Sequence, residues 1–196
     1  SLKFEDGDSG YLSRTPTSAG NRKTFTWSGW IKRCNVSTYG ILFAAGNTND
    51  LWNSTSTFHI GYFAVNSKIS IYNNGTYLRT LSAQMRDTSS WYHLVVAVDT
   101  TNSTAGDRVK VYINGVEQTS FTTTNNPSLN LDTFVNATHL HVLGGQPTNV
   151  TNSYFDGYLA EVNFIDGTAL DASSFGETKE GIWVPKDPTG LTYGTN

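Results

Sequence analysis

Thr24-Phe-Thr-Trp-Ser-Gly-Trp-Ile31 is the stretch on which the fold turns. Phe25, Trp27, Gly29 and Ile31 fall on one face and Thr24, Thr26 and Ser28 on the other, the period of two of a strand half-buried in a sheet. Gly29 within it suggests the close approach of another backbone. Working outward, Asp107 to Ile113 repeats the pattern with Val109, Val111 and Ile113 inward. Asn114-Gly115 then supplies the two positive-φ residues of a type I′ turn, and a returning strand is expected at 116–118. Asn74-Gly75 joins Lys68–Tyr72 to Thr76–Leu81 in the same way. Trp91 to Val98 is apolar on both faces, with Leu94, Val96 and Val98 against Trp91, Val95 and Ala97, which marks a central strand covered on both sides. Trp27 and Trp91 are therefore assigned to the core. Strands are also expected at 57–65, 139–143 and 155–165, the last with Tyr158, Ala160, Val162 and Phe164 on one side and Glu161 and Asn163 on the other. Residues 119–137, rich in Thr, Asn and Pro, read as a long loop, and 170–175 as one helical turn.

Composition agrees with an all-β class. Of 196 residues, 27 are Thr, 19 Ser and 18 Asn, while charged residues make 15% against a typical ~25%. Thr and the abundant aromatics favour strands. Short strands divided by Gly, Asn and Ser turns favour two antiparallel sheets packed face to face. A net charge of −3 offers no basic surplus for a phosphate backbone, so nucleic acid is excluded as an expected partner. No run approaches the ~18 apolar residues of a spanning helix, so no membrane insertion is expected. One cysteine, Cys34, forbids an internal disulfide and any cysteine-rich zinc site, and it is expected to be semi-buried. Six Asn-x-Ser/Thr sequons occur, at Asn35, Asn53, Asn74, Asn102, Asn136 and Asn149. With 18 Asn and 46 Ser and Thr, chance alone supplies about four.

The order of segments resembles a known family. Tyr11-Leu12, the Phe25 to Ile31 strand, Trp91-Tyr-His-Leu-Val95, Val111-Tyr-Ile-Asn-Gly115 and Phe155-Asp-Gly-Tyr-Leu-Ala-Glu-Val162 followed by Thr168-Ala-Leu170 are similar to a laminin-G-like domain of the concanavalin A-like lectin and glucanase superfamily. The resemblance covers roughly residues 2–175 and implies an all-β, two-sheet antiparallel β-sandwich of jelly-roll, concanavalin A-like form. Arg14-Thr-Pro, Ala19-Gly-Asn-Arg22, Phe175-Gly-Glu177 and Gly181-Ile-Trp-Val-Pro185 further resemble the version found in virion proteins of marine bacteriophages, including tail-fibre-like proteins. The sandwich is expected over 1–176, with 177–196 an extension or linker cut from something longer.

The superfamily includes glycoside hydrolases, so catalysis was sought among the residues. Retaining glucanases of this fold carry a Glu-x-Asp-x-Glu type run, in which spacing by two puts carboxylates about 5 Å apart on one face. Here the nearest approach is Glu161-Val-Asn-Phe-Ile-Asp166, with an amide in phase and Asp166 out of phase. Nucleophile elbows, phosphate loops and zinc-protease motifs lack their parts. No catalytic residue is assigned. His139 and His141 share a strand face without a visible third ligand. The resemblance implies a rim calcium, for which Asp6 and Asp8 are the candidate ligands; where laminin-G-like sequences often have an acid, this chain has Ala160. Sugar binding calls for aromatic platforms among polar groups, and the candidates are Trp52, in the polar stretch Asn49 to Asn53, and Tyr62, Tyr72 and Tyr77. The expected function is a non-catalytic virion module, exposed extracellularly on the virion surface of a bacteriophage. It would bind a host cell-surface glycan and contact other virion subunits as a homo-trimer or clustered display. Capsid decoration and glycoside hydrolysis are the alternatives.

Overall fold

A computed structural model of the chain describes residues 1–47, 55–62, 67–145 and 153–194. In chain order the strands are β1 (Leu2–Phe4), β2 (Leu12–Arg14), β3 (Thr24–Arg33), β4 (Gly40–Gly46), β5 (Thr57–Tyr62), β6 (Ile69–Asn73), β7 (Thr76–Leu81), β8 (Tyr92–Asp99), β9 (Val109–Ile113), β10 (Val116–Glu117), β11 (Phe121–Thr124), β12 (Leu140–Leu143), β13 (Gly157–Asp166), β14 (Gly176–Lys179) and β15 (Ile182–Pro185). A six-stranded sheet runs β1-β13-β3-β8-β9-β10, a seven-stranded sheet runs β11-β7-β6-β5-β4-β12-β2, and β14-β15 form a separate hairpin. All these pairings are antiparallel, and the fold is the expected all-β sandwich.

Its core is the interface between the two large sheets. Phe25, Trp27 and Ile31 of β3 pack with Leu94, Val96 and Val98 of β8 against Phe58 and Ile60 of β5 and Ile69 and Ile71 of β6. The sheets are joined by aromatic contacts: Phe25 meets Phe58 edge-on at 5.5 Å, and Phe164 of β13 lies over Phe43 of β4 at 5.9 Å. Such pairs add about 0.5–1.5 kcal/mol each beyond the area they bury. Both Asn-Gly turns form as read, with φ of 52° and 81° at Asn74 and Gly75 and 48° and 83° at Asn114 and Gly115.

Five expectations need correcting. The crowding at Gly29 comes from a side chain, since a Cβ there would lie 2.7 Å from the indole of Trp27. Trp91 is not in the core: it precedes β8 and is 36% exposed. Cys34 is exposed. The stretch 119–137 contains an edge strand, β11, paired with β7, and its second half is bound to the body through Thr133, whose hydroxyl donates to the Arg22 carbonyl at 2.7 Å. The single alternation expected for 155–165 is broken by a bulge between Ala160 and Asn163, where Glu161 takes φ of 46°. That extra residue reverses the phase. Leu159 faces the core before the bulge, and Val162 and Phe164 pack toward it after the bulge.

One buried cation staples the sheets. Arg79 of β7 is 2% exposed, and its guanidinium donates to the carbonyls of Leu78, Asn125 and Gly106 and to Asn126 Oδ1, at 2.8–3.1 Å. Gly106 lies in the 3-10 turn Ala105–Arg108 that leads into β9, so this side chain links one sheet to the approach of the other. Arg79→Ala leaves those acceptors without their donor in a buried site; a loss of at least about 2 kcal/mol is expected in urea unfolding.

Candidate functional site

The outer face of the six-stranded sheet is the side away from the core, and β3 presents Thr26, Ser28 and Trp30 to it. These groups do not meet water. Thr26 and Ser28 are fully buried and Trp30 nearly so, because the chain after β13 folds back over them. A 3-10 turn, Ala172–Ser174, capped by the Asp171 carboxylate on the Ser173 amide, carries Phe175. With Val95, Tyr112, Ile165 and Ala172 it makes a second, smaller core, against which Leu170, Trp183 and Leu191 pack. The stretch from 177 to 194 is thus laid along the sheet, with the β14-β15 hairpin as its ordered part.

The hairpin is pinned by Trp183. Its indole N–H donates to His93 Nδ1 at 3.0 Å, and His93 Nε2 lies 2.9 Å from Ser28 Oγ. Indole nitrogen can only donate, so Nδ1 is the bare nitrogen and the Nε2 proton is given to the serine. The rings of Trp30 and His93 form a column, stacked with centroids 5.0 Å apart, and Trp183 meets the edge of His93 with its ring centroid 6.0 Å away. Two glycines make the seat: a methyl group at Gly176 would overlap the Trp183 indole, and one at Gly115 would come within 2.7 Å of it.

Beside this column opens a cleft of about 300 Å³, walled by Trp30, Trp91 and Trp183 and bounded by Ala160, Glu161 and Pro185. Trp91 is steadied by Tyr158, its ring centroid 6.3 Å away. Glu161 is brought to the mouth by the β13 bulge, and the bulge is braced: Asn163 Nδ2 donates to the Glu161 carbonyl at 2.9 Å, while the Tyr193 hydroxyl donates to Asn163 Oδ1 at 2.7 Å. Indole faces can stack on apolar ligand surfaces, and the carboxylate accepts hydrogen bonds from hydroxyl donors. Trp30 Nε1 is buried with no hydrogen-bond partner among the described residues. A second depression of 290 Å³ on this face is polar, but its charged groups are occupied: Asp107 pairs with Lys110 at 3.4 Å, and Asp99 Oδ1 accepts from the Thr101 amide at 3.0 Å.

The described residues among the site candidates singled out in the sequence lie elsewhere. Trp52 falls in 48–54, outside the described residues. Tyr62 is 1% exposed within the main core; its hydroxyl donates to Met85 Sδ at 3.4 Å, the Arg33 guanidinium lies 4.3 Å from its ring centroid, and burial pushes its pKa up. It therefore offers no sugar platform. Tyr72, 2% exposed, is stacked on His59 at 4.6 Å and meets Tyr77 edge-on at 5.1 Å. This pair sits on the opposite sheet from the tryptophan cleft, and only Tyr77 is half-exposed. Asp6 and Asp8 form a 3-10 turn. The carboxyl of Asp156 is raised by burial and then by Asp6 and Glu5 nearby, yet among the described residues no three His, Cys, Asp or Glu groups converge as a metal site. His141 has both nitrogens engaged, Nδ1 with the His139 carbonyl at 2.8 Å and Nε2 accepting from the Asn136 amide at 3.0 Å. Asp166 Oδ1 accepts from the Asn21 amide and Asn136 Nδ2, both at 2.8 Å, so it clamps loops and does not pair with Glu161.

Local sequence signals do not bring Trp30, Trp183 and Glu161 together, nor do they mark Trp91 as exposed. A signal for Trp30 was present: it is an indole on the face of β3 opposite to Trp27, and an aromatic out of phase with a filled inward set must be covered by something further along the chain.

Two twisted antiparallel sheets packed through an aromatic core are the architecture of the concanavalin A-like sandwiches. The chain belongs to the concanavalin A-like lectin/glucanases superfamily, whose laminin G type model matches residues 6–174. No curated protein sequence matches it. Among solved structures it is similar to a putative carbohydrate binding protein from Bacteroides ovatus, with 13% identity, a TM-score of 0.60 and coverage of 86% of this chain and 43% of that one. It is also similar to domain 4 of an extracellular arabinanase from Geobacillus stearothermophilus in complex with arabinotriose, with 24% identity, a TM-score of 0.52 and coverage of 87% and 77%. A third is the CBM40 of a Ruminococcus gnavus sialidase bound to α2,3 sialyllactose, with 14% identity, a TM-score of 0.53 and coverage of 83% and 95%.

Burial holds the His93 imidazole down, to a pKa of about 4 from an ordinary 6.5, and lowers His141 as well. A lowered histidine pKa means that the unfolded chain takes up protons first as pH falls. Stability is therefore complete above pH 6.5 and declines as pH drops from 6.5 toward about 4. Thermal melts across that window should show the decline, and His93→Gln should make it shallower; an identical slope would show that His93 is not buried neutral.

Proposed function

We propose that this chain is a non-catalytic carbohydrate-binding module of a bacteriophage virion, exposed on the particle as part of a tail fibre or surface appendage, and that its sugar site is the tryptophan cleft. The observation that carries the reading is the meeting of three indoles and one carboxylate around a 300 Å³ opening. A sugar ring has an apolar face of C–H groups and a polar rim of hydroxyls, and it needs both kinds of partner at once. Similarity to solved carbohydrate-binding sandwiches supports the reading. The virion setting rests on the phage-like stretches, two of which, Phe175-Gly-Glu177 and Gly181-Ile-Trp-Val-Pro185, include the glutamate of β14 and the tryptophan of β15.

A cleft bounded by so few groups binds one sugar weakly. Display as a trimer or in clusters on the virion, beside other virion subunits, raises avidity by about 10²- to 10⁴-fold toward a host surface that repeats the glycan. Calcium enters the proposal as a peripheral, partly hydrated ion at Asp6 and Asp8 that stiffens the N-terminal turn.

Binding to host lipopolysaccharide or a glycan array, followed by tryptophan fluorescence, tests the site. Trp91→Ala and Trp183→Ala should each weaken binding at least about tenfold. No binding by a trimerised wild-type module would overturn the proposal and leave capsid decoration. Reducing-sugar release from a host polysaccharide would overturn the denial of catalysis. For the ion, chelator should lower the melting temperature, and an unchanged melt removes calcium from the proposal.

A further inference from the structure

We infer that the tryptophan cleft selects glycans that carry no acidic group, and that Glu161 is the residue that imposes the choice. This rests on the proposed sugar-binding role and concerns its ligand class. Among the residues around the cleft, Glu161 alone is charged; the rest are indoles, alanine, valine and proline. The carboxylate is exposed and takes part in no ion pair among the described residues, so its charge acts on whatever enters. A uronate, sialate, sulfate or phosphate placed on the indoles would meet a like charge with no cation in the lining to offset it. Neutral sugars meet an acceptor pair that can take two hydroxyl protons together, in charge-assisted hydrogen bonds.

The placement of Glu161 is held at some cost. A non-glycine residue with φ of 46° sits in a region that side chains disfavour, and such conformations persist where the surroundings fix them. Here Asn163 and Tyr193 brace the bulge, and Trp91 and Trp183 line the opening beside it. A regular β13 would continue its alternation through position 161 and turn this side chain toward the core. The bulge thus sets one carboxylate at the rim of an otherwise uncharged aromatic site.

The test compares neutral tetrasaccharides of gluco, manno and galacto configuration with uronate tetrasaccharides of equal length, by tryptophan fluorescence at low, fixed ionic strength. Wild type should bind a neutral member at least about fivefold more tightly than any uronate, since two like charges some 4 Å apart in water are worth roughly that factor. Glu161→Gln should narrow the gap, and Glu161→Lys should reverse it. Uronates bound as tightly as neutral sugars, or a gap unmoved in Glu161→Gln, would overturn the inference while leaving the sugar-binding role intact. Failure of both glycan classes to change the fluorescence of the trimerised wild type would remove that role itself, and the inference with it.

Discussion

A strand buried on both faces must find partners inside the protein for its backbone groups and for its polar side chains alike. β3 finds the first in β8 and β13, which flank it. Its outward side chains set the harder condition. The Thr26 hydroxyl donates to the Thr168 carbonyl and accepts from the Leu170 amide, both at 2.8 Å, and Ser28 is answered by His93. Those partners lie on the chain just after β13 and on β8, so satisfying β3 draws the following segment onto the outer face. Trp183 then completes the series through the last free nitrogen of His93. The cleft is the space left where this covering ends.

The scarcity of carboxylates shapes the interior as well as the surface. Three buried arginines use neutral acceptors. Arg33 donates to the Met85 carbonyl and lies over Tyr62; Arg79 is held by carbonyls and an amide oxygen; and Arg108 donates to the carbonyls of Asn102, Ser103 and Pro127. Burial lowers the pKa of Arg33 and Arg79, yet Arg79 remains clasped by several oxygen dipoles and Arg33 by one carbonyl and the face of Tyr62. The arginines organise turns and edges around themselves, so the long Thr- and Asn-rich connections become fixed pieces of the body. Residues 119–137, read from composition as a loop, acquire their shape in this way.

The inner half of the fold was legible because its signals are local. Alternation in β3 and β9, two-faced hydrophobicity in β8 and the Asn-Gly turns each lie within ten residues, and the register follows from them. The outer half depends on pairs far apart in sequence. Trp183 touches His93 across 90 residues and the Gly115 turn across 68, and no local period announces such contacts. The bulge at Glu161 was hidden for a related reason: one extra residue reverses the inside and outside of a strand while the residue types on either side still look like a continuous pattern. Tyr62 and Tyr72 offer no platform because an aromatic on a strand serves packing on whichever face it falls, and both fall on faces that are covered.

The matched family region closes at residue 174, and Trp183 lies beyond it. One wall of the cleft is therefore contributed by a segment that adds little to the core between the sheets, where Phe25, Phe43, Phe58 and Phe164 meet. An exchange of the β14-β15 hairpin for one with another residue at position 183 would reshape one wall of the cleft while leaving the aromatic core between the sheets untouched, so the shape of the opening can change without a change in the sandwich that carries it.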